Sequence, residues 1–540
     1  MPIPIYQRGI YVVLLDRIDR DVRGWDRCQP AGLASPGERG LILERNSRAP
    51  TCKTCATWKN FQRGEMTEKR LELVRGLGAW ASAAIVVGTM IGTGIFLKPA
   101  EMAHEGRSVS VVFAAWIIGA ILSIFGAFSF AELGSMIPEA GGEYAYLRRG
   151  FGPVYGFVFG WMHSIVGRPS SLASISAGMM RFLSFLLPVI AAPLFTVQIA
   201  VPGLTGWIKP YDFVFTWAQP LAVVWLLIMT GVNYLGVRLG GAVQVFLTTI
   251  KITSVAIVIG VAFFAPASNP TNGAQPFWPA AGMGAGAIFS AFLATLAAAL
   301  WAYDGWEDLN LVGSEVENPQ KNFPRALVGG VGFVAVIYLL FSAACLKVLP
   351  FETVAASRHI ASDVVEHIKG ATAASWITLA MVISALGSMN SSVLSGARVG
   401  YAMARDGIFF KIVEGIHPKF RTPGRSLIFQ GVLASLMALT GTFEELTNLF
   451  IFAAWIFYGA AVVSLFRMRK TEPHLPRPYR CWGYPWVPGL FVAGALALTV
   501  NIWLERPGRS SIGLLLIFVG LPFYQRWKRV SSVANKAASS

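Results

Sequence analysis

Near the centre of the first long hydrophobic segment, residues 79–103, the sequence reads Gly88-Thr89-Met90-Ile91-Gly92-Thr93-Gly94-Ile95-Phe96. Glycine lowers helix stability by about 1 kcal/mol relative to alanine, and β-branched threonine also has a low helix propensity. Inside a lipid bilayer an unwound segment must find partners for its backbone, so it survives only where it lines a cavity. The stretch therefore predicts either a break in a membrane-spanning helix or a glycine surface for close helix packing.

The composition of the chain indicates a membrane protein. Of its 540 residues, 54% are hydrophobic and only 14% are charged, whereas about a quarter of the residues in a soluble protein are charged. Apolar runs of about 20 residues recur along the chain, which is the length that a helix needs to cross a bilayer. We therefore expect an all-α polytopic membrane protein with the lipid bilayer as a partner.

The distribution of basic residues predicts the orientation of the chain. The net charge of +16 does not indicate nucleic-acid binding, because the lysines and arginines from Lys69 onward collect in alternate loops. This pattern follows the positive-inside rule when both termini are cytoplasmic, and it predicts a multi-pass protein of the plasma or inner membrane. The twelve predicted spans are 79–103, 110–137, 154–187, 217–235, 241–264, 284–312, 326–348, 373–403, 426–441, 446–466, 486–504 and 511–524.

A second anomaly lies in the sixth span, which reads Trp301-Ala302-Tyr303-Asp304-Gly305-Trp306. An ionisable residue inside a membrane span is costly and indicates a functional site. We apply this argument to Asp304, whereas Asp308 is expected near the membrane interface. Breaks at corresponding positions of spans 1 and 6 predict an inverted repeat, with spans 1–5 and 6–10 as its two halves and a substrate site between them.

The two breaks together predict the chemistry of the ligand. The helix that restarts after the first break presents free N–H groups and a positive dipole end, which suit a carboxylate. Exposed carbonyl oxygens at both breaks, together with Asp304, suit an ammonium group. A site with both features fits a zwitterionic α-amino acid.

Several motifs resemble one family. The stretch at 88–96 resembles the first-helix signature of the amino acid–polyamine–organocation superfamily, and the stretch at 301–306 resembles its L-type amino acid transporter family. Further segments resemble the same family in the same order along the chain: Arg168-Pro169-Ser170-Ser171, Glu315, Asn318-Pro319, Asn322-Phe323-Pro324-Arg325-Ala326, Gly387-Ser388-Met389-Asn390, Tyr401-Ala402-Met403-Ala404-Arg405-Asp406-Gly407 and Leu475-Pro476-Arg477-Pro478-Tyr479.

This resemblance implies a five-plus-five inverted repeat of the LeuT-like type, discontinuous helices 1 and 6, and transport by alternating access. It implies that backbone N–H groups of Thr93 and Gly94 bind the substrate carboxylate. It further implies that the carbonyls of Met90, Trp301 and Asp304 bind the α-ammonium group and that Trp301 closes over the substrate. The expected substrate-binding residues are Met90, Ile91, Gly92, Thr93, Gly94, Trp301, Ala302, Tyr303, Asp304 and Gly305.

Polar residues in other spans give weaker predictions. Lys251 lies about ten residues into span 5, where it either extends towards the cytoplasmic interface or occupies a polar cavity. In the family that the chain resembles, a lysine at this position accompanies sodium-independent transport and bridges spans 1 and 8, so Lys251 is the expected coupling residue. Ser384, Asn390 and His163 are further candidates, each of which could equally serve only to brace helices.

The predicted organisation places a ten-helix transport core at residues 66–470, two peripheral helices at 471–528 and a tail at 529–540. Residues 1–65 are rich in arginine and turn formers, which predicts a disordered arm. Because Met66-Thr67-Glu68-Lys69-Arg70 resembles a natural start, we also consider an over-extended gene start, with a genuine cytoplasmic tail as the alternative.

The predicted function is sodium-independent exchange of neutral L-amino acids. Proton-coupled or exchange transport of cationic amino acids or polyamines is the alternative, and a transporter-like amino acid sensor is the alternative from another class. An enzyme is not expected, because the histidines lack metal-ligand or catalytic spacing, and Cys52 and Cys55 form a lone CxxC. No cofactor or metal is expected. In animal members of the family that the chain resembles, a cysteine between spans 3 and 4 forms a disulfide with a heavy subunit. The loop at 188–216 contains no cysteine, so we expect no disulfide-linked heavy subunit and a monomer or homo-oligomer.

Overall fold

The computed structural model describes residues 72–199, 211–265, 276–280, 282–440, 443–505 and 507–539. The predictions for residues 1–65, including the gene start at Met66, lie outside this part of the chain. Among the described residues, seven helices are long and apolar enough to cross a membrane, and two shorter apolar helices accompany them. The chain is therefore predominantly helical and polytopic.

The first hydrophobic segment forms two helices, α1 (Ala79–Met90) and α2 (Thr93–Gly106), as the sequence predicts. Ile91 and Gly92 between them leave the helical conformation, with ψ values of 83° and −139°. Only two residues separate the helices, so the last carbonyls of α1 and the first N–H groups of α2 lie beside the same interruption.

The next part of the chain includes one continuous long helix and one interrupted segment. Helix α3 (Val109–Met136) leads to the short α4 (Glu143–Phe151). The predicted third span consists of α5 (Pro153–Trp161), a π-helical turn (Met162–Gly167) and α6 (Arg168–Leu186). The π-helical turn was not predicted, and such turns are frequent at functional sites.

A small antiparallel sheet corrects the all-α prediction. Strands β1 (Pro193–Ile199) and β2 (Tyr211–Thr216) pair in the loop between the third and fourth helical segments. Both strands are rich in aromatic and β-branched residues, which favour extended structure. The strands lie in the loop between the predicted third and fourth spans, where hydropathy predicts no membrane helix.

The sixth hydrophobic segment is also interrupted. Helices α7 (Ala218–Tyr234) and α8 (Val237–Phe264) precede α9 (Ala285–Ala302). Residues 303–307 then form turns, in which Gly305 has a φ of +101° that favours glycine. The chain continues through the short α10 (Asp308–Leu311) and a 3-10 turn (Gly313–Glu315).

The remaining helices complete the bundle. They are α11 (Pro319–Val348), α12 (Phe351–Ala356), α13 (Ile360–Lys369), α14 (Ala371–Arg405), α15 (Gly424–Thr440), α16 (Phe443–Thr471), α17 (Trp486–Glu505) and α18 (Pro507–Ser539). Helix α18 continues through residues 529–539 of the predicted tail. The apolar run ends at residue 524, and the predicted span ends with it. Alanine, lysine and arginine have a high helix propensity, so the helix continues beyond the apolar run.

Four packed pairs of helices position the two interruptions inside the bundle. Helix α3 packs on α11, α2 packs on α9, and both α6 and α8 pack on α14. The residues at the ends of α1 and α9 are consequently enclosed, with Ile91 and Tyr303 fully buried. The interruptions are thus surrounded by protein, as unwound backbone in a membrane requires.

Candidate functional site

The carbonyl groups at the end of α1 are held by side chains from two other helices. Lys251 of α8 donates from Nζ to the carbonyl oxygens of Gly88 and Ile91, each at 2.6 Å. The Lys251 ammonium also donates to Ser388 Oγ of α14 at 3.1 Å, and Ser388 donates to the Gly88 carbonyl at 3.0 Å. A buried cation therefore connects α1, α8 and α14.

The position of Lys251 decides between the two interpretations of its sequence. Its side chain is fully buried, so the interpretation that it extends to the membrane interface is wrong. Three oxygen partners surround the ammonium group, which is the kind of environment that a buried charge needs. The bridge between spans 1 and 8 that the family resemblance implies is present, while the role of Lys251 in coupling stays a prediction.

Tyr338 of α11 joins the two interruptions directly. Its hydroxyl lies 2.6 Å from the Met90 carbonyl oxygen and 2.9 Å from that of Ala302. A hydroxyl has one proton to donate, so Tyr338 donates to one of these carbonyls at a time. Sequence reasoning missed this residue, because a single tyrosine in an apolar span gives no distinctive signal.

A small cavity with a volume of about 50 Å³ lies between the two interruptions. Eight of the ten predicted substrate-binding residues line it. The lining residues are Thr89, Met90, Gly92, Thr93, Gly94, Arg168, Ser171, Ser174, Ile175, Trp301, Ala302, Asp304, Gly305, Ser388 and Ser392. The structure therefore brings together the two stretches that the sequence singled out, although they are some 200 residues apart.

Helix α2 presents its N-terminus at this cavity. Thr93 and Gly94 line the cavity, and no side chain caps the helix at Gly92. The N–H groups of a first helical turn have no partner within the helix, and the positive end of the helix dipole attracts an anion. The geometry can therefore bind a carboxylate through the backbone.

Glycines allow the two interruptions to approach closely. A Cβ atom on Gly94 would lie 3.1 Å from Ala302 Cα and 3.2 Å from Trp301 Cζ3. A Cβ on Gly305 would lie 2.5 Å from Thr89 Cγ2, and the positive φ of Gly305 would add strain. Larger residues at these positions would separate the helix ends that form the cavity.

Acidic groups lie at the second interruption, where Asp304 lines the cavity. The Tyr458 hydroxyl of α16 lies 3.0 Å from Asp304 Oδ1 and 2.6 Å from Glu307 Oε1. The other Glu307 oxygen accepts a hydrogen bond from the Gly305 N–H at 3.1 Å. Asp304 is therefore held at the cavity wall by a hydroxyl group that it shares with Glu307.

The structure corrects the prediction for Asp308. This carboxylate is fully buried and accepts two hydrogen bonds from Arg168 of α6, one of them at 3.2 Å from Nη1 to Oδ2. Arg168 also lines the cavity. The expectation that Asp308 lies at the interface was wrong because its compensating charge is 140 residues away in sequence.

Glu143 of α4 adds a further carboxyl group outside the spans. Burial raises the pKa of the Glu143 carboxyl well above its usual range, and the negative charge of Glu307 raises it further. Four acidic side chains, Glu143, Asp304, Glu307 and Asp308, thus interact electrostatically around Arg168. The Asp304 carboxyl group lies at the cavity wall, where its oxygen atoms can accept hydrogen bonds from an ammonium group.

The remaining predicted residues lie outside the cavity lining. Ile91 contributes its carbonyl to Lys251, and Tyr303 donates a hydrogen bond to the Trp116 carbonyl at 3.2 Å. Asn390 bonds to Gly240, Gln244 and Asn233, so it connects α14 with α7 and α8.

His163 and Ser384 also lie away from the cavity lining. The His163 ring packs against the Phe159 ring, and its Nε2 lies 3.5 Å from Arg168 Nε. Ser384 is buried, and its hydroxyl has no hydrogen-bond partner among the described residues. Neither position supports direct contact with a ligand in the cavity.

The fold defines a polytopic helical membrane protein with a cavity between two interrupted helices. Comparison of the sequence with family models gives one match, described as amino acid permease, over residues 77–522. The chain belongs to this family, which is part of the superfamily that the motifs resemble.

Named relatives have similar lengths and are about one-third identical. The mouse b(0,+)-type amino acid transporter 1 is 34% identical over 465 residues, which covers 84% of this chain and 88% of the relative. The serine/threonine exchanger SteT of Bacillus subtilis is 30% identical over 461 residues, covering 85% and 98%. The human large neutral amino acids transporter small subunit 2 is 30% identical over 461 residues, covering 84% and 80%.

Proposed function

We propose that the chain is a secondary transporter that exchanges neutral L-amino acids across a membrane, without sodium. The observation that carries the proposal is the cavity between the two interrupted helices. It presents uncapped helix N–H groups at Thr93 and Gly94 and an acidic wall at Asp304. These two features complement the two charged groups that all α-amino acids share.

The names of the relatives support exchange and amino acids as the substrate class. The Bacillus relative is named as a serine/threonine exchanger, and this chain covers nearly all of its length. The human relative is named for large neutral amino acids. We infer a neutral substrate, with Trp301 closing over it and the carbonyls of Met90, Trp301 and Asp304 around its ammonium group.

Lys251 supports independence from sodium. Its ammonium group already contacts two carbonyl oxygens and one hydroxyl oxygen beside the first interruption. Such oxygens are the ligands that a hard cation prefers, and the Lys251 amino group already occupies the space between them. In our proposal the lysine supplies the charge that a sodium ion would otherwise bring.

The proposal includes the finer architecture. We infer twelve spans, a five-plus-five inverted repeat, cytoplasmic termini and alternating access, on the basis of the paired interruptions and the distribution of basic residues. We also infer that the protein works without a disulfide-linked partner, because residues 188–216 contain no cysteine.

Cationic amino acids are the second candidate substrate class. Asp304 lines the cavity, and Glu307 and Asp308 lie close to Asp304. This concentration of carboxylates would also suit a basic side chain. The mouse relative carries the name b(0,+)-type amino acid transporter.

Uptake into proteoliposomes tests the proposal. Purified protein is reconstituted in sodium-free buffer, and radiolabelled serine, alanine, leucine, arginine and glutamate are offered to vesicles with or without internal amino acid. We expect uptake of neutral amino acids that requires an internal amino acid. Absence of uptake for every amino acid would overturn the proposed function, and preferential uptake of arginine would replace the neutral substrate with the cationic one.

A further inference from the structure

Lys98 of α2 lies against the aromatic residue that borders the cavity. Its Nζ is 4.8 Å from the centroid of the Trp301 ring. A cation at this distance from an indole is attracted by the negative face of the ring, and the attraction is stronger where water is excluded. The Lys98 side chain is only 7% exposed, so this contact is largely shielded from water.

Helix geometry explains how Lys98 and Gly94 both contact the Trp301 indole. Gly94 and Lys98 are four residues apart in α2, so they lie on one face of the helix. The ring approaches closely at Gly94, where a Cβ would be 3.2 Å from Trp301 Cζ3. The indole therefore rests along one face of α2, with a glycine near the cavity and a lysine one turn further along.

Glu101 fixes the position of the Lys98 ammonium group. Its Oε2 lies 2.5 Å from Lys98 Nζ, one turn further along the same helix. A lysine side chain has considerable rotamer freedom, and this ion pair restricts that freedom. Trp301 lines the cavity whereas Lys98 does not, so Lys98 acts on the cavity through the indole.

We propose that Lys98 is a positioning residue that holds the Trp301 indole against α2 and thereby keeps the cavity closed on that side. This inference rests on the proposed function, in which Trp301 moves aside when the cavity opens. Losing the contact makes the closed arrangement less stable relative to the open one. The substrate then binds more weakly, because the closed arrangement retains it.

Cysteine accessibility tests this role without requiring transport. Ser171 lines the cavity, so Ser171→Cys reports its opening to a membrane-impermeant thiol reagent added outside intact cells. The parent chain without this substitution measures the labelling of the five native cysteines. We expect Lys98→Met, which keeps the side-chain length but removes the charge, to raise the labelling rate roughly fivefold.

Two variants separate positioning from general loosening. Lys98→Arg keeps a cation that stacks on aromatic rings. We expect its labelling rate to lie within about twofold of the rate for the Ser171→Cys protein that retains Lys98. Lys347→Met removes another lysine–aromatic contact, 5.7 Å between Nζ and the Phe263 ring, and should leave labelling unchanged. An unchanged rate in Lys98→Met, or an equal rise in Lys347→Met, would overturn the proposal.

Exchange kinetics provide a second measurement. Lys98→Met should raise the KM for external substrate roughly fivefold and Lys98→Arg should restore it, whereas a folding defect would lower kcat through loss of active protein. If no amino acid is exchanged but labelling still responds to Lys98→Met, the proposed function fails and the role of Lys98 stands. If exchange proceeds and labelling does not respond, only the role of Lys98 fails.

Discussion

Carbonyl groups at the end of α1 lack backbone hydrogen-bond donors, and the Lys251 side chain takes the place of those donors. Its ammonium group donates to the carbonyl oxygens of Gly88 and Ile91. Hydrogen bonds to a charged group contribute about 1.5–3 kcal/mol each. The lysine thus stabilises the interrupted helix, and it also introduces a positive charge next to the cavity.

Replacing this lysine should impair transport far more than folding. We expect Lys251→Met to lower the exchange rate on the order of a hundredfold, which corresponds to a loss of about 3 kcal/mol. Ser388 still donates to the Gly88 carbonyl in this variant, so the protein should elute as a monodisperse peak in size-exclusion chromatography. Full exchange activity in Lys251→Met would contradict a role in coupling.

Gly94 should tolerate no added methyl group. A Cβ there would lie within 3.2 Å of both Ala302 and Trp301, and overpacking of this kind costs about 1–3 kcal/mol. We expect Gly94→Ala to weaken amino acid binding roughly tenfold, measured by radioligand binding to purified protein. Gly286→Ala is the control, since a Cβ at Gly286 meets no atom within 4 Å; equal affinities in the two variants would be inconsistent with this geometry.

Single residues differ in how well the sequence predicts them. Thr93, Gly94 and Asp304 are predictable because glycine clusters and a carboxylate are unusual in an apolar span. Tyr338 and Tyr458 are not, since a tyrosine in a membrane helix usually only packs. Asp308 was predicted wrongly, because the need for a partner is visible in the sequence but the identity of that partner, Arg168, depends on the fold.

The two interrupted helices are connected as elements by α11. The Tyr338 hydroxyl lies within hydrogen-bond distance of the last carbonyl groups of α1 and α9, and it donates to one of them at a time. Its ring also lies 5.1 Å from those of Trp116 and Tyr303, measured between centroids. Both helix ends therefore contact the same buried aromatic cluster.

Removing the Tyr338 hydroxyl should weaken the connection between the ends of α1 and α9 without leaving a cavity in the core. Tyr338→Phe keeps the ring and loses hydrogen bonds worth about 0.5–1.5 kcal/mol each. We expect the KM for exchange to rise roughly three- to tenfold. Tyr155→Phe is a suitable control, because Tyr155 is exposed on α5; a wild-type KM in Tyr338→Phe would refute the proposed connection.

A buried ion pair connects α14 with the turn that follows α10. Arg398 donates to both carboxylate oxygens of Glu315, at 2.6 and 2.9 Å, and both side chains are fully buried. Removing one partner of a buried pair costs about 3–5 kcal/mol, whereas apolar replacement of both is often close to neutral.

The expected order of thermal stability follows from this difference. In detergent, Arg398→Met should lower the unfolding temperature strongly, and the double variant Arg398→Met/Glu315→Leu should recover much of the loss. Arg149→Met breaks the more exposed pair with Glu472 and should cost less than about 1 kcal/mol. A larger loss in the double variant than in Arg398→Met would contradict the explanation.

Elements are predicted well where hydropathy determines them and poorly elsewhere. The interruption after Met90 follows from residue type, and the structure confirms it. The antiparallel pair of β1 and β2 lies between the predicted spans, where hydropathy carries no signal for strands. Helix α18 extends to Ser539 because helix-forming residues continue after the apolar run ends.

In the whole molecule, interrupted helices, a buried lysine and an acidic cavity wall form one arrangement. Helices α3, α6, α8, α11 and α14 surround the interruptions, so polar backbone is kept away from lipid. The family match over residues 77–522 agrees with this architecture. The class of protein follows from the sequence, whereas the shape of the cavity depends on contacts between distant segments.

Efflux of labelled amino acid from proteoliposomes, with and without sodium, tests the central claim most directly. Proteoliposomes are loaded with radiolabelled serine in potassium buffer, diluted into buffer with or without unlabelled serine, and compared with the same vesicles in sodium buffer. We predict rapid efflux of label only when external serine is present, at equal rates in both buffers. Efflux that does not depend on external amino acid, or that requires sodium, would contradict the account.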